Sequence, residues 1–376
     1  MSVTITQHPS SISFAGNPVL LKVRSNLANK TFLKICAEVN VSAYRRAEHL
    51  FAFSETLSIP TEGDDKVVNF DLSDLLLSAL SRLPVERCGA LAEGGIPTAT
   101  GGYVQYSVEV WDEYLDEYQE IVSSKSASVS SPSSGLNKAL PGAYTDMQRL
   151  TLPEDTASFL GSAHILSNKP DYEPIPDGGK VTVPVFSTEY RTVDVYMDSS
   201  SNNVGTHSVY AMEVSWKSLT VQGAGARSLV WSGLNVPPVF IYVVQQHPFA
   251  RYFEFVNRLG AVESIYTFGR AKRKTSPSQE RQVKRHNNSF KPTARYVKRT
   301  LQEEQTWELS TGPVSREWAK WFAKEFLVAE QAWMYSESAG DMVPVIIESE
   351  EAVTLYDESE AEVLDIQFKV IMCINE

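Results

Sequence analysis

Apolar residues in this chain recur at every second position over long stretches, and that period of two constrains the fold more than any other feature. Leu33, Ile35, Ala37, Val39 and Val41 alternate with Lys34, Cys36, Glu38 and Asn40, and Val104, Tyr106, Val108 and Val110 alternate with Gln105, Ser107 and Glu109. Successive side chains of a strand point to opposite faces, so each run reads as a half-buried strand. The C-terminal stretch EVLDIQFKVIM repeats the pattern with Leu364, Ile366, Phe368, Val370 and Met372 on one face. Many short runs of this kind, punctuated by Gly, Pro and Asn, predict a mainly β protein of β-sandwich-like domains rather than alternating β and α units.

Two segments change to the helical period. DLSDLLLSALSRL predicts a short helix near 73–83, capped by Ser73, with Leu76, Leu77, Leu80 and Leu83 on one side and Pro84 as its stop. From Ser315 the run SREWAKWFAKEFLVAEQAWMY predicts a prominent C-terminal helix over about 315–335. Its wide stripe of Trp318, Trp321, Phe322, Phe326, Ala329 and Trp333 either fills a core or docks on a neighbouring subunit.

The chain is 376 residues long, enough for two or three domains that each bury a core. Residues 123–135 contain eight serines in thirteen positions. Such a tract buries too little apolar surface to offset the cost of ordering its backbone. The expected division is therefore a β-rich domain over 1–122, a linker or extended loop over 123–140, and a larger β-rich region over 141–376.

Chemistry-bearing patterns are few. The three cysteines, Cys36, Cys88 and Cys373, are widely spaced beside apolar runs, and the six histidines never fall three to five residues apart. No disulfide framework or metal site is expected. There is no Gly-x-Ser-x-Gly elbow and no phosphate loop, and GAGARS at 223–228 reads as a hairpin turn rather than a dinucleotide loop. The expectation is a non-enzymatic protein without a cofactor. The start MSVTITQHPSSISFAGNP lacks a signal-peptide pattern, and the longest apolar run, Val236–Val244, has nine residues and two prolines. A helix needs about 20 apolar residues to span a bilayer, so no membrane association is expected and folding is placed in a cytoplasm.

Charge is unevenly distributed. The net charge is −12, yet residues 270–299 carry eleven Lys and Arg against Glu280 alone. Ten of these, all but Lys291, make a candidate docking arm: Arg270, Lys272, Arg273, Lys274, Arg281, Lys284, Arg285, Arg295, Lys298 and Arg299. With Pro277 and Pro292 and few large apolar residues, it reads as a long loop or arm leaving a sheet. Residues 336–365 hold ten acids and no Lys or Arg. Among these acids Glu348, Glu350, Glu351, Asp357, Glu358 and Glu360 form the candidate counterpart. In a ring, one copy's arm would lie across its neighbour's acidic region. Nucleic-acid contact through the arm is the less favoured alternative.

The arm is launched from RYFEFVNRLGAVESIYTF at 251–268, a candidate β-hairpin in which Asn257 and Gly260 set the geometry of the corner. The pattern Phe253, Phe255, Val256, Asn257, Arg258, Gly260, Glu263, Tyr266, Thr267 and Phe268 resembles a segment of uncharacterised structural proteins of tailed bacteriophages and prophages, especially those of Bacteroidetes. An N-terminal AGNPVLLKVRSN strand and a C-terminal block of helix, VPVIIES and alternating strand fit the same picture. Ala261 and Val262 stand where such proteins often carry Trp and a second Gly. The resemblance covers the N-terminal strand pair and roughly the last 140 residues. It implies a virion component of tail or baseplate type, acting as a ring-forming homo-oligomer with other virion proteins. A carbohydrate-binding β-sandwich module and a DNA-contacting head-tail connector are the alternative readings.

Overall fold

A computed structural model describes the chain apart from residues 1–2, 28–29, 62–65, 88–97, 126–128, 131–136, 144–162, 199–201, 287–292, 349–362 and 375–376. Strands account for 58% and helix for 8%, so the chain is mainly β, with its sheets stacked in sandwich-like pairs. Cys88 and Lys291 lie outside the described residues.

The alternating runs form the strands Thr31–Arg45 and Tyr103–Leu115, which pair antiparallel at the centre of the first sandwich. The residues picked out by period two, Ile35, Ala37, Val39, Val104, Tyr106, Val108 and Val110, are each fully buried. A second sheet of Val3–Gln7, Leu20–Ser25 and Val67–Asp71 closes the same core. The short helix Ser73–Ser81 lies against it through Leu76, Ala79 and Leu80. Ser73 is the first helical residue rather than the cap. Asp71 does the work instead, its Oδ1 accepting from the backbone N–H of Ser73 at 3.0 Å and of Val19 at 3.1 Å. The Ser-rich tract is partly tied to this sandwich: Ile121–Ser123, Val129–Ser130 and Asn137–Leu140 all pair with Tyr103–Leu115.

The second sandwich packs Lys180–Phe186 and Val214–Thr220 against a five-stranded sheet ordered Glu173–Pro176, Val239–Val244, Gly225–Trp231, Arg191–Met197, Asn203–Val209. The GAGARS segment connects these two sheets, so it is a crossing turn rather than a hairpin. The turn enters Gly225–Trp231 from Val214–Thr220, and those two strands have different partners.

The third unit is a seven-stranded sheet ordered Val262–Thr267, Arg251–Val256, Ala332–Ser336, Asp341–Glu348, Gln367–Ile374, Thr293–Ser310, Lys272–His286. The prominent helix expected at 315–335 is a short one. Ser315 caps it as expected, its Oγ accepting from Trp318 N at 3.2 Å. The α-helix Arg316–Trp321 then widens into a single π turn, Phe322–Phe326, closed by Leu327 N donating to Phe322 O at 3.0 Å. Trp333 sits in the strand Ala332–Ser336, where Ala332 and Met334 are buried and Trp333 and Tyr335 are not. A period of two therefore takes over from a period of 3.6 within the stripe that suggested one helix. Phe322 and Phe326 stack with centroids 4.8 Å apart, and Phe253, Phe255 and Phe368 meet Phe326 edge-on. Edge-to-face contacts of this kind add to the area the rings bury.

Cutting Phe326 to Ala should cost about 3–5 kcal/mol, while Val328→Ala, just past the π turn and exposed, should stay within about 0.5 kcal/mol. Urea unfolding of the two variants checks the placement; equal losses would contradict it.

Candidate functional site: an interlocked corner and the basic hairpin it carries

The strands Arg251–Val256 and Val262–Thr267 form the expected hairpin, pairing from Arg251 with Thr267 to Val256 with Val262. Asn257 organises its corner. Its N–H donates to Ala261 O at 2.8 Å, its Oδ1 accepts from Ala261 N at 3.0 Å, and its carbonyl accepts from Gly260 N at 2.9 Å. The remaining amide group, Nδ2, donates to Leu166 O at 2.9 Å and so ties the corner to the second sandwich.

Gly260 has φ +74°, and a Cβ there would lie 2.5 Å from the carbonyl carbon of Pro141. Gly142, at φ +89°, answers it: a Cβ there would lie 2.2 Å from the carbonyl carbon of Leu259. Two backbones thus meet with no side chain between them, and Ala143 N donates to Arg258 O across the joint. Gly16 N donates to Gly142 O at 2.7 Å, which carries the contact into the first sandwich. Phe14, Leu140, Leu166, Trp216, Leu259 and Val262 share an apolar cluster around it.

Behind the corner lies a buried charged group not foreseen from the sequence. Lys169 Nζ contacts Glu173 Oε2 at 2.9 Å, donates to Ser264 O, and stands 5.3 Å from the Trp321 ring. Glu325, on the π turn, accepts from Arg258 N at 3.1 Å. Glu263 is 1% exposed, and neither of its oxygens meets a donor at hydrogen-bond geometry. Burial pushes its carboxyl up to about 7, against the pull of the Lys169 ammonium and of the nearby Ser167 and Asn257 side chains. The four charged residues come from three elements far apart in sequence. Only Glu263 lay within a motif, and nothing in the local pattern around Lys169 or Glu325 marks them as buried.

The basic segment is a two-stranded hairpin rather than a loop. Lys272–His286 pairs with Thr293–Ser310 along its whole length, and Thr293–Ser310 pairs with Gln367–Ile374 only from Glu303 onward. Residues 279–286 and 293–300 therefore extend past the sheet with only each other as strand partners among the described residues. Eight residue pairs at about 3.4 Å each make an arm of about 27 Å. A bulge at Leu301, where Ser278 faces Gln302 and Gln279 faces Thr300, marks the point of departure. Its residues do not alternate apolar with polar, so the segment carried no period-two signal.

Arg270, Lys272, Arg273 and Lys274 are exposed at the root; Lys272 pairs with Glu308 at 3.3 Å and Arg273 lies 5.5 Å from the Trp307 ring. Arg281, Lys284, Arg285, Arg295, Lys298 and Arg299 are on the projecting part, where the register opposes Arg281 with Lys298 and Lys284 with Arg295. Of the acidic counterpart, Glu348 is exposed at the end of its strand. Glu350, Glu351, Asp357, Glu358 and Glu360 lie outside the described residues. No described helix is long and apolar enough to cross a membrane.

No protein-family model matches this chain, and no curated protein matches it. Solved structures that align with it include the fibronectin(III)-like modules of Clostridium thermocellum CbhA, at 8% identity over 65% of this chain and 94% of that one, with a TM-score of 0.15. CBD12 from CALX1.2 aligns at 9% identity over 59% of this chain and 76% of that one, TM-score 0.16. A marsupial T cell receptor aligns at 9% identity over 82% and 96%, TM-score 0.16. At scores this low none of these alignments bears on what the chain does.

Two outcomes follow from the corner. Gly260→Ala should cost well over about 2 kcal/mol, because backbone strain and a backbone clash add. Gly178→Ala, at φ +79° with nothing within 4 Å of its Cβ, should cost only about 1 kcal/mol. Denaturant midpoints decide it, and equal losses would mean the joint yields. For Glu263, whose folded pKa is raised, the stabilisation is fully present below the ordinary carboxylate pKa and is lost as pH rises through about 7. Glu263→Gln should therefore flatten the stability profile between about pH 5 and 7 by up to about 3 kcal/mol. His207, pushed down to about 3 mainly by burial, gives the opposite slope, losing stability as pH falls below the ordinary histidine value. It remains in both chains, so the difference between variant and parent isolates Glu263.

Proposed function

We propose that this chain is a non-enzymatic virion structural protein of a tailed phage, a tail or baseplate ring subunit that assembles by laying its basic hairpin on an acidic surface of a neighbouring copy. The observation that carries the reading is the arm itself: two strands that leave the sheet at a bulge and run about 27 Å with no third strand beside them. Like charges directly opposed across a strand pair destabilise it by roughly 0.2–1 kcal/mol each, and the arm has two such pairs. An acidic surface beside the arm relieves that repulsion. Exposed acids stand at both ends of the strand pair Ala332–Ser336 and Asp341–Glu348 in the same sheet, Glu337 and Asp341 at one end and Glu330 and Glu348 at the other. A contact from arm to sheet is heterologous, and such contacts close into rings when the rotation permits. The resemblance of the Phe253–Phe268 segment to phage structural proteins supplies the biological setting.

The test is the double reversal Arg281→Glu with Lys298→Glu. It keeps the opposed charges alike, so the repulsion within that pair is unchanged, while the projecting part goes from six cations against one acid to four against three. Light scattering and negative-stain microscopy should find rings in the parent and monomers in the variant, with partial recovery when Asp341→Lys and Glu348→Lys are added. A monomeric parent, or a variant that assembles as before, would overturn the reading. A monomer whose affinity for duplex DNA falls steeply with salt would transfer the arm to nucleic acid.

A further inference from the structure

The outer face of the five-stranded sheet in the second sandwich carries an aromatic surface away from both the core and the joint. In Val239–Val244 the residues Phe240 and Tyr242 alternate with Val239, Ile241 and Val243, which pack into the core. Tyr242 is paired with Pro174 on one neighbouring strand and with Ala226 on the other. In the next row Phe240 is paired with Ser228, and the Tyr172 ring stacks on Phe240 with centroids 5.7 Å apart. A third row opposes Val230 with Tyr196. Tyr172 is 54% exposed, Tyr242 47% and Val230 41%. Tyr172 is held there at a φ of +63°, where residues with a side chain are rare, and strained backbone of this kind clusters at ligand contacts.

None of these eight residues is charged, in a chain whose charged residues make up 21%. The charges stand at the rim: Asp171 precedes Tyr172, Asp198 accepts from Ser228 N and pairs with Arg227 at 3.0 Å, and Asp194 lies two residues from Tyr196. Three carboxylates against one guanidinium disfavour an anion, and the uncharged centre suits an uncharged occupant. The surface spans four strands about 4.8 Å apart and three rows about 7 Å apart, which makes about 200 Å². A stable protein interface takes about 800 Å² from each partner, so a second copy seated here would find about a quarter of what it needs. A sugar chain needs less. Each pyranose has a flat face of C–H groups and a belt of hydroxyls, which suits aromatic rings set beside hydrogen-bonding side chains. Such side chains continue the same face: Asp194 is opposed by Thr206, whose Oγ1 donates to Asp194 Oδ1 at 2.8 Å, and Tyr196 is opposed by Asn203.

We infer that this face binds a neutral glycan, its sugar rings stacked on Tyr172 and Tyr242 and its hydroxyls bonded along Asp194, Thr206 and Asn203. The site goes beyond the assembly reading and does not depend on it. Affinity electrophoresis in gels containing hydroxyethylcellulose, arabinoxylan or galactomannan tests it, with carboxymethylcellulose as the anionic comparison. At least one neutral polymer should retard the chain, and carboxymethylcellulose should bind at least tenfold more weakly. Tyr172→Ala and Tyr242→Ala should each weaken binding at least tenfold, with the melting temperature and assembly state of the parent. Phe32→Ala, which removes a ring 77% exposed on the first sandwich, should change nothing. The idea fails if no neutral polymer retards the chain, if carboxymethylcellulose binds equally, if either Tyr variant migrates as the parent does, or if Phe32→Ala matches their loss. Copies that come apart on Tyr242→Ala would give the face to a second copy and overturn it as well.

Discussion

The structure hangs on one close approach: the backbone of Pro141 and Gly142 lies directly on that of Leu259 and Gly260, at a separation only residues without a Cβ allow. Both glycines take positive φ, which non-glycine residues adopt at a cost of about 1–2 kcal/mol. The joint connects three bodies. The 137–140 strand belongs to the first sandwich, Asn257 reaches Leu166 beside the second, and the corner opens the sheet of the third. Without it the hairpin would be a free end, and the arm, which leaves the far edge of the same sheet, would have no fixed direction relative to the rest of the chain.

Much of this was legible in residue order. Period two marked the central strands and the buried face of each, and Asn and Gly marked the corner, because both properties are local. The C-terminal helix was misjudged for a reason equally physical. Trp318, Trp321, Phe322 and Phe326 do share one face, but Trp333 continues the spacing only by coincidence; Ala332 and Met334 are buried by strand alternation. The π turn at Phe322–Phe326 leaves no mark in composition. The buried group of Lys169, Glu173, Glu263 and Glu325 could not be read at all. Its members are unremarkable until the fold brings them together, and charged residues are ordinarily placed at the surface.

That buried group shows how the joint is held in register. Charges inside a protein are costly unless paired and hydrogen-bonded. Here Lys169 bridges Glu173 and the carbonyl of Ser264, and Glu325 takes the N–H of Arg258. The partners lie on the second sandwich, the hairpin and the π turn, so a slip of any one would strand a buried charge. Apolar packing at the junction is less demanding, since Leu166, Leu259 and Val262 can slide against one another with smaller losses. The apolar cluster thus supplies attraction and the polar group supplies position.

Position matters most at the root of the arm. Arg273 and Trp307 are opposed across the first pairs of the hairpin, and both line a cavity together with Arg251, whose strand is separated from that of Trp307 by three others in the sheet order. The direction of the arm and the shape of the cavity are therefore set by the same few residues. Beyond the bulge at Leu301 the register opposes Arg281 with Lys298 and Lys284 with Arg295, and a two-stranded ribbon is marginal by itself, so the order of the arm must come from its root or from what it touches.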